Sequence, residues 1–309
     1  MPDPMPDPMP DPMPRATRFH RVVRAILTHY PMRFGAAWLN RRLDRFFDRE
    51  QPNWLLAPGR GAWPTMVLNV SSNLQRKFFY FPKVYGRFYG RGVFSHYLQH
   101  KLTPGARFIE IGANVGFFAL RAATLVGPSG RVYAFEPEPV IFESLTRSAV
   151  ASALTQLEPF QLALSDREDE LSFYRARDGT ASSLVPEAPG HEARYERVLT
   201  TRVTTLDNLV KAGRIETTDV ALVKVDVEGE ENRTIAGMLE TLVAAGYPSI
   251  WCEVRGPAGS TRAPNTYPGV KATLQELGYR PYWWSADGSR RPVLDDAVIG
   301  RTDVLFERP

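Results

Sequence analysis

Acidic residues lie at the ends of several strand-like segments of this sequence, where carboxylates could bind a ligand or accept a proton. Glu110 lies in RFIEIGANVG (107–116), Glu136 directly follows RVYAF (131–135), and Asp226 lies near the end of a strand-like run. Ligands of open α/β sheets bind at the carboxyl ends of the strands. The sequence therefore predicts an acidic ligand site at one edge of such a sheet.

The segment around Glu110 predicts a strand, a turn and a helix. The apolar residues of RFIEI (107–111) suit a strand that is buried on both faces, as in parallel sheets covered by helices. Gly112 and Gly116 allow a sharp turn, and FFALRAATLV (117–126) predicts the following helix. Together these elements indicate the first unit of a nucleotide-binding fold.

The charge of this turn distinguishes between nucleotide cofactors. Glu110 would repel a pyrophosphate but could pair with an ammonium or sulfonium group, and Glu136 is placed to accept hydrogen bonds from both ribose hydroxyls. S-adenosylmethionine has an amino-acid end and a ribose. One acid for each of these two groups favours this cofactor over NAD. An ordinary tight turn without a ligand is the alternative. The matching positions of Glu110, Asn114 and FEP (135–137) argue against it. Further predicted cofactor contacts are Gly112, Ala113, Asn114, Gly116, Pro137 and Asp226.

A third group of polar residues follows FQLAL (160–164), the predicted third strand. Ser165 and Asp166 come directly after it. A carboxylate beyond the end of this strand could accept a hydrogen bond from the adenine amino group. Asp166 could equally be a simple cap.

The candidate catalytic residues lie on the predicted fourth and fifth strands. Alternation along the segment 220–227 puts Lys224 and Asp226 on one side, Glu228 follows, and Glu253 lies on the fifth strand at the same rim. Asp226, with Glu228 or Glu253 as alternatives, could accept the proton of a hydroxyl group. Capping of the next helix would also explain Glu228. The three carboxylates could bind a divalent metal such as Mg²⁺, although the sequence shows no complete ligand set.

Several segments together resemble one family, the FkbM-type S-adenosylmethionine-dependent methyltransferases, over roughly residues 102–256. The segments are IEIGANVGFF (109–118), FEPEP (135–139), ALSD (163–166), GTASSL (179–184), VTTLDNL (203–209) and VKVDVEGEE (223–231). The resemblance implies a class I methyltransferase fold, an α/β Rossmann-like sheet that is mostly parallel, with helices on both faces and an antiparallel last strand. It also implies O-methylation of a hydroxyl on a sugar or secondary metabolite, so that the partner is a small-molecule or glycan acceptor. A methyltransferase-like domain that binds without catalysis and an NAD-dependent oxidoreductase remain alternatives.

The residues before this region predict two further parts. Residues 1–14 repeat the sequence MPDP and predict an extended tail, and residues 15–101 predict an appendage to a catalytic domain of residues 102–309. The segment 15–50 carries nine arginines against three acids, on two predicted amphipathic helices. We expect these helices to pack on the catalytic domain or on a partner subunit, which could be a second copy of this chain in a homo-oligomer. Peripheral contact with an anionic membrane is the alternative, and no nucleic acid is expected.

Aromatic residues dominate the rest of the appendage. Strand-like pieces are predicted at 65–70 and 77–81, and a helix at 93–102. The aromatic side chains are expected to pack in the core, or to line a sugar or polyketide pocket. They are Phe78, Phe79, Tyr80, Phe81, Tyr85, Phe88 and Tyr89.

Composition limits the class of protein. With 309 residues, of which 43% are apolar and 23% charged, the chain is expected to be globular. Its single cysteine, Cys252, excludes an internal disulfide and a cysteine-based zinc site. No apolar run reaches the ~20 residues that cross a bilayer, and no signal peptide is recognisable at the N-terminus. We therefore expect a cytoplasmic protein.

Overall fold

The computed structural model describes residues 54–57, 64–80, 92–176, 195–258 and 265–309, with single residues at 23, 42, 59 and 184. The predicted MPDP tail and nearly all of the basic segment 15–50 lie outside these residues. So do most of the GTASSL segment and the aromatic residues Phe81, Tyr85, Phe88 and Tyr89. The expectations for these parts stay predictions.

The chain forms thirteen strands and eight α-helices within the described residues. The strands are β1 (Trp54–Ala57), β2 (Met66–Asn69), β3 (Arg107–Ile111), β4 (Arg131–Phe135), β5 (Leu157–Phe160), β6 (Ala163–Leu164), β7 (Asp169–Ala176), β8 (Tyr195–Thr204), β9 (Val220–Val225), β10 (Ser249–Arg255), β11 (Arg280–Trp284), β12 (Arg290–Pro292) and β13 (Arg301–Glu307). The helices are α1 (Asn73–Tyr80), α2 (Val93–Lys101), α3 (Phe117–Val126), α4 (Pro139–Ala151), α5 (Leu206–Lys211), α6 (Glu231–Ala236), α7 (Leu239–Ala244) and α8 (Tyr267–Glu276).

An eight-stranded sheet organises the fold, in the order β12-β11-β13-β10-β9-β3-β4-β5. The neighbouring pairs from β10 to β5 are parallel, whereas β13 runs antiparallel to both β10 and β11. The predicted mostly parallel sheet with an antiparallel last strand is thereby confirmed. Because β3 and β9 lie side by side at the centre, the segments that follow them meet at one edge of the sheet.

The two faces of this sheet are covered by different helices. Ile109 and Val223 belong to a core that includes residues of α6 and α8. Phe108 and Leu222, on the opposite face, pack with residues of α2, α3 and α4. This arrangement explains why the strands read as nearly continuous apolar runs.

Two of the predicted strands are corrected by the structure. Residues 77–81 were expected to be strand-like, but α1 occupies Asn73–Tyr80 and buries Phe79 and Tyr80. The third sheet strand was expected at 160–164, but β5 ends at Phe160, and β6 pairs with β8 in a separate three-stranded sheet. A short apolar run does not distinguish a buried helix from a strand, nor one sheet from another.

The hairpin of β1 and β2 is attached to α4 by hydrogen bonds. Ser144 Oγ donates to the Val67 carbonyl at 2.6 Å, and Val67 N–H donates to Ser148 Oγ at 2.8 Å. The Ser152 hydroxyl makes a similar bond to the Thr65 carbonyl at 2.8 Å. Backbone groups of β2 that face α4 are therefore satisfied by side chains of the helix.

Among the described residues, no helix combines the length and apolarity needed to cross a membrane.

Candidate active site

A cavity of about 840 Å³ lies at the carboxyl ends of the central strands. Its lining combines the turn after β3, the end of β4 and the residues that follow β9 with side chains of β10 and β13. Phe78 of α1, the first residues of α2 and α3, Ile141 of α4 and residues of β6 and β7 also line it. Most of the predicted site residues therefore share one cavity.

The turn after β3 uses its own N–H groups for protein contacts. Gly112 and Ala113 both donate to the Phe135 carbonyl, at 3.0 and 2.8 Å, and Gly116 donates to the Ala113 carbonyl at 2.9 Å. Asn114 N–H donates to Glu136 Oε2 at 2.9 Å, and Val115 N–H donates to Asn114 Oδ1 at 2.8 Å. A pyrophosphate requires free N–H donors at this place. With all five N–H groups engaged, the turn is poorly suited to a dinucleotide.

The glycines of the turn are required by protein packing. Gly112 has φ +82°, and a Cβ there would lie 1.9 Å from the carbonyl oxygen of Asp226. Gly116 has φ +79°, and a Cβ there would lie 2.3 Å from Leu145 Cδ1. The sequence predicted a sharp turn at these glycines. In the structure, Gly112 lines the cavity and brings the turn against the end of β9.

Glu136 directly follows β4 and lines the cavity. One of its oxygens accepts from Asn114 N–H, and the other accepts from Glu138 N–H at 2.9 Å. Burial raises the pKa of Glu136 to about 8, although these hydrogen bonds favour the charged form. A carboxylate has about four acceptor positions, so hydroxyl donors of a ligand can still be accepted. Pro137 lines the cavity beside it.

Glu110, Lys224 and Asp226 form a connected group on the floor of the cavity. The Lys224 ammonium lies 2.9 Å from Asp226 Oδ2 and 3.8 Å from Glu110 Oε1. Glu110 is only 1% exposed, and burial raises its pKa to about 7. The neighbouring strands β3 and β9 pair Glu110 directly with Lys224. The predicted positions of these three residues on neighbouring strands agree with the structure.

Lys224 stabilises the charged form of Asp226. The Lys224 ammonium lies 5.8 and 5.6 Å from the ring centres of Phe94 and Phe118. Burial by itself would lower the pKa of Lys224, but Asp226 and Glu110 raise it above its ordinary value. Burial likewise opposes ionisation of Asp226, but the lysine lowers the pKa of this carboxyl group. Asp226 is therefore ionised near neutral pH.

Three carboxylates meet at the polar end of the cavity. Asp226, Glu228 and Glu253 each place an oxygen within 4.8 Å of the others. Arg301 binds Glu228 at 2.6 Å and Glu253 at 3.0 Å, and Arg255 binds Glu228 at 2.6 Å. Burial raises the pKa of Glu253 to about 8, with Asp226 adding to the shift. A divalent ion at this cluster would compete with the arginines for the same oxygens.

Sequence reasoning missed three residues at this polar end. They are Arg255, Arg301 and Asp303; the last two line the cavity from β13, and Arg255 binds Glu228. The strand register places Glu253 opposite Asp303 and Arg255 opposite Arg301. The alternating charges of RTD (301–303) were the signal available in the sequence, but it was informative only once this strand was paired with β10.

Ser165 and Asp166 lie next to the cavity lining. The lining includes Leu164 but neither of these two residues. Ser165 is buried and lies 3.3 Å from Asp166 Oδ1 and 3.5 Å from Glu230 Oε2, and Asp166 pairs with Arg167. Their contact with adenine stays a prediction.

The sheet has the architecture of the class I methyltransferase fold. The strand order and the antiparallel β13 are the features of that class, and acids lie on β3 (Glu110) and directly after β4 and β9 (Glu136 and Asp226). More narrowly, the chain belongs to the family described as the Methyltransferase FkbM domain, whose sequence model matches residues 110–281.

Three characterised relatives are similar over about half of the chain. The hexuronic acid methyltransferase AglP of Haloferax volcanii is 30% identical over 138 residues, which are 45% of this chain and 52% of AglP. The 31-O-demethyl-FK506 methyltransferase FkbM of Streptomyces tacrolimicus is 29% identical over 181 residues, 49% of this chain and 68% of that enzyme. The 2-O-methyltransferase NoeI of Sinorhizobium fredii is 28% identical over 150 residues, 45% of this chain and 60% of NoeI.

Among solved structures, the methyltransferase FkbM from Methylobacillus flagellatus is similar with a TM-score of 0.39 and 12% identity. The match covers 68% of this chain and 49% of that one.

Proposed function

We propose that this protein is an S-adenosylmethionine-dependent O-methyltransferase that methylates a hydroxyl group of a sugar or secondary metabolite. The observation that carries the proposal is the cavity in which a turn without free N–H donors adjoins the buried acids Glu110 and Glu136 and the ionised Asp226. The names of the three relatives, which refer to hexuronic acid, 31-O-demethyl-FK506 and a 2-O position, support this class of acceptor.

The residues of the cavity fit the cofactor group by group. Glu136 can accept the ribose hydroxyls, because its carboxylate lies beside the turn and at the end of β4. Glu110 lies in the cavity lining and supplies negative charge for an ammonium or sulfonium group. By contrast, a pyrophosphate would meet two acids and a turn whose N–H groups are already bonded. These contacts favour S-adenosylmethionine over NAD.

Asp226 is the best candidate for the base among the three carboxylates. Glu228 and Glu253 both bind arginine, whereas Asp226 binds Lys224 and keeps 35% of its side chain exposed. S-adenosylmethionine, when bound, supplies a methyl group that is already activated by the sulfonium. In this mechanism, Asp226 accepts the proton of the acceptor hydroxyl, and Lys224 holds the Asp226 carboxylate in place. Arg301 keeps Glu228 and Glu253 in fixed positions beside it. Orienting the hydroxyl in this way can lower a barrier by ~7–11 kcal/mol.

The proposal is tested by binding and turnover together. Calorimetry with S-adenosylmethionine and with NAD should show binding of the first alone. Incubation with methyl-labelled S-adenosylmethionine and a panel of glycosides and polyketide alcohols should transfer the label to one or more acceptors, read by mass spectrometry. Binding of NAD in place of S-adenosylmethionine would contradict the assignment, and cofactor binding without transfer to any acceptor would favour a non-catalytic binding domain.

We further propose a cytoplasmic location, since the single cysteine fits a reducing compartment. Packing or membrane contact by the basic segment 15–50, and association into a homo-oligomer, stay predictions. Deleting residues 1–50 and comparing vesicle binding and thermal stability with the full chain would distinguish the first two.

A further inference from the structure

One wall of the cavity comes from parts of the chain outside the family match. Phe78 of α1 and the segment Gly92, Val93 and Phe94 at the start of α2 all line the cavity. They precede residue 110, where the match to the family begins. This part of the wall therefore lies outside the matched region.

Aromatic rings form a continuous row along this wall. The ring centres of Phe78 and Phe117 lie 5.6 Å apart, those of Phe117 and Phe118 5.4 Å, and those of Phe118 and Phe94 4.7 Å. The last two rings flank the Lys224 ammonium, which binds Asp226 at 2.9 Å. The row thus runs from α1 to the proposed base.

The cavity therefore has two chemically different sides. Carboxylates and Arg301 lie on the polar side, and Phe78, Val93 and Phe117 lie on the apolar side. Val93 is 40% exposed although it is apolar, which places it at the rim of the cavity. The volume of about 840 Å³ lies in the upper part of the range of ~300–1,000 Å³ for small-ligand sites. There is accordingly room for an acceptor beside the cofactor.

We propose that Phe78, Val93 and Phe117 select acceptors in which an apolar ring or chain flanks the hydroxyl-bearing sugar. The inference rests on the proposed function, because Asp226 defines where the hydroxyl lies. An acceptor with its hydroxyl at Asp226 would lay its apolar flank along the row of rings. Apolar contact of this kind stabilises binding in proportion to the area removed from water. An aryl glycoside has the required combination of a hydroxyl edge and an apolar flank.

Binding of two matched probes tests the proposal without requiring turnover. Calorimetry would measure phenyl β-D-glucopyranoside and methyl β-D-glucopyranoside against the full chain saturated with S-adenosylhomocysteine. The phenyl glycoside should bind about tenfold more tightly, because its ring reaches the apolar wall. Equal affinity for the two probes, or no binding of either, would overturn the proposal.

Substitutions at the rim locate the contact. Val93→Asp should abolish the preference for the phenyl glycoside and leave the Kd for S-adenosylmethionine unchanged. Val243→Asp is the matched control, since Val243 is 47% exposed on α7 and does not line the cavity. Phe78→Leu should reduce the preference for the phenyl glycoside less than Val93→Asp does. Because Phe78 is only 7% exposed, its substitution could prevent folding. In that case the result for Val93→Asp decides the test. Retention of the preference in Val93→Asp would contradict the proposal, whereas failure of the wild-type chain to bind S-adenosylmethionine would instead contradict the proposed function.

Discussion

The two halves of the cavity hold their acidic groups by different means. In the proposed cofactor half, at the ends of β3 and β4, the Glu136 carboxylate accepts hydrogen bonds from backbone N–H groups. In the proposed acceptor half, formed by residues that follow β9 and by side chains of β10 and β13, Glu228 and Glu253 bind arginine side chains. Backbone donors are set by the fold, whereas arginines can be exchanged by single substitutions. The proposed cofactor half thus depends on backbone donors, and the proposed acceptor half depends on side chains that a single substitution can remove.

Glu110 and Lys224 connect the two halves. Glu110 belongs to β3, and its partner Lys224 belongs to β9 and also binds Asp226. A change at Glu110 can therefore reach both the cofactor and the proposed base.

The largest expected effect is at the acceptor half. Asp226→Asn keeps the shape but removes the charge of the proposed base, so kcat should decrease by roughly 10²-fold or more. The Kd for S-adenosylmethionine should stay within about threefold. Single-turnover kinetics and calorimetry would measure the two quantities. Asp219→Asn, an exposed acid just before β9, is the matched control and should leave both unchanged. Wild-type turnover by Asp226→Asn would leave Glu228 or Glu253 as candidates.

A smaller effect is expected at the cofactor half. Glu136→Ala removes the proposed acceptor of the ribose hydroxyls, so the Kd for S-adenosylmethionine should increase by on the order of 10- to 100-fold. Turnover at saturating cofactor should change much less. Calorimetry measures the affinity, and Glu143→Ala on the exposed side of α4 controls for loss of a carboxylate. An unchanged Kd in a folded Glu136→Ala protein would remove Glu136 from the cofactor site.

The Glu110→Gln variant tests whether Glu110 acts mainly on the cofactor or mainly on the acceptor. Because burial raises the pKa of Glu110 to about 7, this residue is mostly protonated at pH 6 and mostly ionised at pH 8. The substitution should raise the Kd for S-adenosylmethionine by about threefold to tenfold at pH 8, and less at pH 6. Calorimetry at both pH values would show this. A decrease in kcat larger than the increase in Kd would assign Glu110 to the acceptor half.

The smallest effect concerns the stability of the free protein. Burial raises the pKa of Glu136 from 4.5 to about 8, so the folded state holds this proton more tightly than the unfolded state. Its contribution to stability is then present below about pH 4.5 and is lost as the pH increases toward 8. A glutamine at this position cannot ionise, so the Glu136→Gln variant does not lose this stability as the pH increases. The melting temperature of the variant relative to wild type should therefore increase from about pH 5 to pH 9, by on the order of a few degrees. A difference that is constant with pH would contradict the assigned pKa.

The cofactor half could be predicted from sequence because it is local. The strand, turn and helix around Glu110 are contiguous, and helix α3 has the predicted limits of Phe117–Val126. The reason for Gly112 could not be predicted, because it depends on the Asp226 carbonyl more than a hundred residues away. The acceptor half joins β9, β10 and β13 through side chains. Glu253 and Arg301 are 48 positions apart and meet only through strand register, so Arg301 was missed.

The position of β13 has a consequence for the order in which the protein can be completed during synthesis. This strand covers Arg301–Glu307 and lies between β10 and β11, which are both made earlier. A nascent chain emerges at ~5–20 residues per second, and its N-terminal parts can fold first. The half of the sheet that holds Glu136 can thus assemble while translation continues. The guanidinium of Arg301 reaches its two carboxylates only when the final strand has left the ribosome and inserted between its neighbours.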